Sequence, residues 1–177
     1  MINYIKKSLF VTTGIITIAC SLFFVPSNQV YADAKEGQKF VDWVVNCSED
    51  ANKKKICVLS QSLISTDKEK PQTLAMFQVG YLGVGKDRSL KMTQIVPTDV
   101  AILPGTSIIS AEQLLSSGKY IACTKDLCTA HAAISEKELK KILSNESAAV
   151  AIITSKGQQL NFPFSTKGLE AGLKALK

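Results

Sequence analysis

Alternating apolar and polar positions predict that the chain after about residue 38 is built from extended strands. In residues 39–47 every second side chain from Val41 onward is apolar, with Trp43 near the centre of the set. This period of two predicts a half-buried strand. The polar segment 48–55 then predicts a turn, and residues 56–59 predict a second strand that returns beside the first.

Further strand-like segments follow, and turn residues such as glycine, proline, lysine and aspartate separate them. They are residues 73–82, 89–96, 106–109, 120–124, 148–154 and 158–164. Many short strands at this spacing predict a mainly β protein, specifically a sandwich of antiparallel sheets.

A capping box interrupts the strand pattern and predicts a short helix near 136–144. The Ser135 hydroxyl can accept a bond from the backbone N–H of Glu138, whose carboxylate can reach back to the N–H of Ser135. The apolar residues that follow recur at helical spacing, and they are Leu139, Ile142 and Leu143.

The C-terminal segment repeats this arrangement and predicts a second helix near 166–176. Ser165 or Thr166 can cap its N-terminus. The leucines Leu169, Leu173 and Leu176 would then share one face.

The N-terminal 32 residues have the three-part order of a cleavable signal peptide. The basic pair Lys6-Lys7 precedes an apolar run over residues 9–25, and the small residues Val30 and Ala32 precede the expected cleavage site. We therefore expect export and cleavage after Ala32.

Two other interpretations of this segment stay open. A permanent membrane anchor is one, although polar residues dilute the apolar run and Pro26 closes it. A lipoprotein site at Cys20 is the other, although the usual leucine three residues upstream is absent.

Cleavage would leave residues 33–177 as one domain of ordinary size. It would remove two lysines and no acid, so the formal net charge would fall from +6 to +4. This charge is only mildly basic, so we expect no nucleic-acid partner and at most peripheral membrane contact.

Four cysteines remain in the predicted mature chain, and an exported chain with an even number of cysteines predicts disulfides. Three pairings are open to Cys47, Cys57, Cys123 and Cys128. Their clustering favours the two local bonds Cys47–Cys57 and Cys123–Cys128. A structural zinc site is the alternative, but the first spacing is longer than zinc knuckles use.

The sequence nominates no catalytic centre, cofactor site or metal site, so we expect a protein that is not an enzyme. His131 is the only histidine, and beside a disulfide we expect it to be a surface or turn residue. No serine carries a G-x-S-x-G elbow. A redox role for the Cys123-x4-Cys128 pair is the alternative, although such couples typically use C-x-x-C.

Two groups of lysines form the candidate binding surface: Lys53, Lys54 and Lys55, and also Lys140 and Lys141. They could contact an anionic lipid, a glycan or an acidic protein face. The alternative interpretation is a solvated turn and a solvated helix face.

A set of landmarks occurs in a fixed order along the chain and resembles the invasion-associated locus B family of exported bacterial proteins. The landmarks are Phe40-x-x-Trp43-x3-Cys47, then Cys57, then Pro104-Gly105, then Cys123-x4-Cys128-x-Ala130, and finally Phe164-Ser165-x-x-Gly168-x3-Gly172-Leu173-x-x-Leu176. The resemblance implies an Ig-like β-sandwich, a periplasmic or envelope location, local pairing of the cysteines and a link to host-cell invasion and virulence. It supplies no catalytic residues.

The leading functional hypothesis is therefore a non-enzymatic envelope or secreted protein that supports host-cell invasion by binding an unidentified protein or cell-surface partner. The alternative is a periplasmic structural or chaperone-like factor that affects invasion only indirectly. An open strand edge could also pair two copies of the chain.

Overall fold

The computed structural model of the protein describes residues 34–50, 53–67, 69–83 and 85–177. The predicted signal peptide, its two alternatives and Cys20 lie outside these residues, so the boundary after Ala32 stays a prediction. None of the helices within the described ranges is long and apolar enough to cross a membrane.

Ten antiparallel strands form the bulk of the described residues, together with two α-helices and a short 3-10 turn at Gly85–Asp87. The strands are β1 (Lys39–Phe40), β2 (Trp43–Glu49), β3 (Lys55–Ile64), β4 (Thr73–Leu82), β5 (Ser89–Pro97), β6 (Thr106–Ser110), β7 (Gln113–Cys123), β8 (Leu127–Ala133), β9 (Ser147–Ile153) and β10 (Gln159–Ser165), and the helices are α1 (Glu136–Leu143) and α2 (Leu169–Ala175).

The strands pair in the order β1-β2-β3-β4-β5-β8-β7-β6-β9-β10. The sheet folds over itself, because Phe164 of β10 packs against Trp43 of β2 and Phe77 of β4, with ring centroids 6.4 Å and 5.3 Å apart. This folding gives the two layers of a β-sandwich. The prediction of a mainly β sandwich with two helices is confirmed.

The core lies between the two layers and is filled by alternate residues of the strands. Its large side chains are apolar and almost fully buried, and they include Trp43, Leu59, Phe77, Met92, Ile108, Ile152 and Leu169.

The first predicted strand is in fact a hairpin of two strands. Phe40 of β1 pairs with Trp43 of β2, so Val41 and Asp42 form the turn between them. Val41 has φ 56° and is 72% exposed, so its place on the buried side of one continuous strand was a wrong prediction. From Trp43 onward the predicted alternation holds.

Strand β8 was not predicted, and β7 begins at Gln113, well before the predicted start at residue 120. The inward-facing residues of β8 are small: Cys128, Ala130 and Ala132 are all buried. Because small side chains give little contrast between apolar and polar positions, the alternation does not stand out in the sequence.

Helix α1 begins with the predicted capping box. The Glu138 N–H donates to Ser135 Oγ at 3.3 Å, and the Ser135 N–H donates to the Glu138 carboxylate at 2.6 Å. These contacts with Ser135 hold the pKa of Glu138 below its ordinary value. The helix ends at Leu143, and its predicted position near 136–144 agrees with the structure.

Helix α2 begins later than predicted, and neither of the predicted capping side chains caps it. Its N-cap is Gly168, with φ 87° and no side-chain hydrogen bond. The Thr166 hydroxyl donates instead to the Asn145 carbonyl oxygen. At Gly168 a Cβ atom would collide with the backbone carbonyl of Phe40, so both the left-handed backbone and the close approach require glycine here.

Inside α2, Gly172 allows the helix to pack closely against the sheet. A Cβ atom at this position would lie 2.6 Å from the Cδ atoms of the fully buried Leu59. The close approach explains why this helix carries a residue with poor helix propensity.

Candidate functional site

The first group of predicted binding lysines lies at the β2–β3 turn. The Lys53 N–H donates to the Asp50 carbonyl oxygen, and the Lys54 N–H donates to Asp50 Oδ1, both at 2.9 Å. The side chains of Lys53, Lys54 and Lys55 are exposed. The backbone of this turn is therefore fixed while its ammonium groups face solvent.

The second group lies on a separate element. Lys140 and Lys141 are exposed on α1. Within the described ranges, no hydrogen bond or ion pair joins these two lysines to the group at the β2–β3 turn. The structure does not bring the five lysines together by direct contact, and their role in binding stays a prediction.

His131 was expected to be a surface or turn residue; it lies in the middle of β8, so the turn position is wrong, and its side chain is partly exposed. Its cross-strand neighbours are Thr93 on β5 and Lys119 on β7. Burial and the charge of Lys91 hold the pKa of His131 below its ordinary value. Both effects favour the neutral imidazole.

The cysteines form the two local disulfides that their spacing favoured, Cys47–Cys57 and Cys123–Cys128. Each bond joins directly opposed residues of neighbouring strands, with Cα atoms 4.0 Å apart. Both bonds lie close to the turn of a hairpin, so each acts as a local clamp. Their formation indicates an oxidising compartment.

The outward side of β6, β9 and β10 forms a surface without charged side chains, which we call the uncharged face. It consists of Ser107, Ile109, Ala149, Ala151, Ile153, Gln159, Asn161 and Pro163. A cavity of about 480 Å³ covers part of it and is also lined by Pro104, Leu114 and the charged residue Glu112. Leu114 is 62% exposed, and Leu103 in the preceding loop is fully exposed.

Side chains, not a backbone ladder, join the two ends of the folded sheet, and we call these contacts the seam. The Trp43 indole N–H donates to the Ser165 carbonyl oxygen at 2.9 Å. The Ser165 N–H donates to Gln61 Oε1 at 2.8 Å, and Gln61 Nε2 donates to the Asp42 carbonyl oxygen at 3.1 Å.

A groove of about 550 Å³ lies beside the seam, between the end of β3 and the end of β10, and we call it the seam groove. Leu63 and Phe164, which pack against the core, line it from within. Its charged residues are Asp42, Glu146 and Lys167. The last two form an ion pair at 3.3 Å.

The described residues contain no group of three or more histidine, cysteine or acidic side chains arranged to hold a metal ion. The uncharged face and the seam groove are two surfaces at which the described residues form a cavity. Both are suited to contact with another polypeptide, because one is uncharged and partly apolar and the other lies between strand edges.

A model of the family described as invasion associated locus B (IalB) protein matches residues 43–177. The chain belongs to the IalB family. The match begins at Trp43, the residue of β2 that holds the seam, and it includes all four cysteines of the disulfides.

Among solved structures, the IalB-family fold is matched by the crystal structure of invasion associated protein B from Bartonella henselae. The two chains are 13% identical with a TM-score of 0.65, and the match covers 78% of this chain and 92% of that one. At this identity the likeness shows a shared fold. No curated protein matches the chain by sequence.

Sequence reasoning missed both surfaces of this IalB-family chain, although one carried a sequence pattern. Residues 148–153 are continuously apolar, which indicates a strand with apolar side chains on both faces. The seam groove had no such pattern, because its residues come from two strands about 100 positions apart in the chain.

Proposed function

We propose that this IalB-family chain is an exported, non-enzymatic protein of the bacterial envelope, or one released from it. It supports host-cell invasion by binding a protein partner. Family membership supports the link to invasion. The two disulfides support a site of action outside the reducing cytoplasm.

The uncharged face carries the proposal that the protein acts by binding. On a sandwich strand the outward positions are ordinarily polar, yet β9 places Ala149, Ala151 and Ile153 on its outward side, where Ala149 and Ile153 are partly exposed and Ala151 is buried. Ile109 and Leu114 extend the apolar surface across β6 and β7. Contiguous apolar surface of this kind is typical of contact sites.

The occupant that fits this face is a protein surface that is itself apolar and without charge. A charged group buried against Ile109 and Ile153 would lose its hydration, and the charged side chain that lines this cavity, Glu112, is exposed to solvent and would repel an anion. The exposed lysines at the β2–β3 turn and on α1 lie on other elements, so they do not supply a compensating charge.

Host-cell entry by a deletion strain, complemented with variants, tests the proposal. We expect deletion to reduce entry and the wild-type gene to restore it. Ile153→Lys places an ammonium group in the uncharged face and should fail to restore entry. Asn46→Lys adds the same charge at an exposed strand position of β2 and should restore it.

Circular dichroism of the exported proteins must first show that both variants are folded. Unchanged entry after deletion would refute the role in invasion. Full restoration by Ile153→Lys would refute the uncharged face as the contact site. Reduced entry that always accompanies loss of envelope integrity would instead support the indirect, structural role.

A further inference from the structure

The final residues of β3 have a backbone edge that faces the seam groove. Val45 exchanges backbone hydrogen bonds with residues 37 and 38, so its neighbour Val44 faces β3 and pairs with Ser60. The backbone N–H and C=O of Ser60 therefore point toward β2. Along an antiparallel strand the backbone groups of successive residues point to opposite sides. The next residue of β3 whose N–H and C=O point toward the β2 side is therefore Ser62.

Among the residues that the structure describes, no strand lies opposite Ser62 on this side. The β2–β3 register would place Asp42 opposite it, but β2 begins at Trp43. Asp42 belongs to the turn in which the chain reverses at Val41. The N–H and C=O of Ser62 consequently point into the seam groove, which Ser62 lines.

The outer edge of β10 faces the same groove. The Thr166 N–H donates to the Glu146 carbonyl beside β9, whereas the N–H and C=O of Ser165 point away from β9 to Gln61 and Trp43. By alternation, the backbone of Pro163 also points outward. Proline has no N–H, so this position offers an acceptor only.

The side chains that line the groove define what can fill it. Leu63 and Phe164 offer apolar contact on the core side. Glu146 forms an ion pair with Lys167. The third charged group of the groove, the carboxylate of Asp42, forms no ion pair among the described residues. A segment with apolar and basic side chains in alternation matches both features.

We propose that the seam groove holds one extended, basic segment of a partner protein, which pairs as an added strand with the outward backbone groups of Ser62 on β3 and with the carbonyl of Pro163 on β10. Apolar side chains of the segment contact Leu63 and Phe164, and a lysine or arginine contacts Asp42. Strand addition of this kind gives affinity through main-chain hydrogen bonds. This inference concerns a different surface from the uncharged face, so its failure would leave the proposed function standing.

The test measures binding of a fluorescent synthetic peptide of alternating lysine and valine to the protein exported from cells that express the full chain. Fluorescence anisotropy reports the binding. We expect saturable binding that weakens by about tenfold or more when alternate amides of the peptide are N-methylated, because methylation removes the donors of an added strand.

Protein variants locate the site. Asp42→Asn removes the charge at the groove and should weaken binding by about two- to fivefold. Asp126→Asn removes an exposed acid from the β7–β8 turn and should leave binding unchanged. An isosteric change is used at both positions so that the fold is preserved.

Several results would overturn the proposal. One is the absence of binding at about 1 mM peptide. Another is equal binding of the methylated and unmethylated peptides, and a third is an equal effect of the two substitutions. Self-association that the peptide displaces, seen by analytical ultracentrifugation, would show that the occupant is a second copy of this chain and that the proposed partner is wrong.

Discussion

Trp43 and Gln61 both bind the backbone of Ser165 in β10, one at its C=O and the other at its N–H, so the effects of substituting them on stability should be coupled. Trp43→Phe removes the N–H donor of the 2.9 Å bond to Ser165 and shrinks a fully buried side chain. An unpaired carbonyl costs about 1–3 kcal/mol, and the loss of ring volume adds about 1 kcal/mol. We expect a loss of about 2–4 kcal/mol from a total of about 5–15 kcal/mol.

Gln61→Met removes both amide hydrogen bonds of the seam while keeping the length of the side chain. At this half-buried position we expect a loss of about 1–2 kcal/mol in the free energy of unfolding. The double variant should lose less than the sum by at least about 0.5 kcal/mol, because the first substitution already loosens Ser165.

Urea unfolding followed by far-ultraviolet circular dichroism, with the disulfides intact, measures these free energies. Gln78→Met is the matched control, since its amide makes only a 4.0 Å contact with the Met76 sulfur. We expect this control to change stability by no more than about 0.5 kcal/mol. The coupling would be refuted if the losses in unfolding free energy of the two single variants added up to the loss of the double variant. The role of Gln61 would be refuted if Gln61→Met changed stability as little as Gln78→Met.

Three further predictions concern the backbone, pH and the first disulfide. Gly168→Ala should lower the free energy of unfolding in urea by at least about 2 kcal/mol. Gly157 also has a positive φ but has no atom near its Cβ position, so Gly157→Ala should lower it by only about 1 kcal/mol. Equal losses would contradict the close approach at Gly168. The lowered pKa of His131 means that protonation disfavours the folded state. The contribution of neutral His131 to stability is therefore complete above the ordinary histidine pKa near 6.5 and declines below it. His131→Gln should make the melting temperature depend less on pH between about pH 7 and 5. Replacing Cys47 and Cys57 together by serine should lower the free energy of unfolding by about 2–3 kcal/mol, and an unchanged urea midpoint would contradict the role of this bond as a clamp.

Most of the fold could be predicted from the sequence, because most strands and helices contain side chains that differ strongly in polarity from their neighbours. The strand around Trp43, the capping box at Ser135 and the local pairing of the cysteines all follow from patterns within about ten residues of chain. The same patterns failed at β8, where the buried residues are alanine and cysteine, and at Val41, where a polar turn carries an apolar side chain.

The candidate surfaces depend on tertiary structure, and this is why the sequence predicted them poorly. The lysine groups could be found in the sequence because their members are consecutive in the chain. Leu63 and Phe164, which line the seam groove, lie far apart in the chain, so no local sequence pattern connects them. Ser165 shows the same limit, since its spacing suggested a helix cap and its backbone instead holds the seam.

The seam also determines when the domain can finish folding. Trp43 and its hydrogen-bond partner Ser165 are 122 residues apart, so the chain must be present almost to its last helix before the core can close. Contacts of such long range form slowly, because the entropy of loop closure is lost before they contribute stability. Until then the apolar faces of the early hairpins stay uncovered, and a nascent chain in that state is a ready substrate for holding chaperones and proteases.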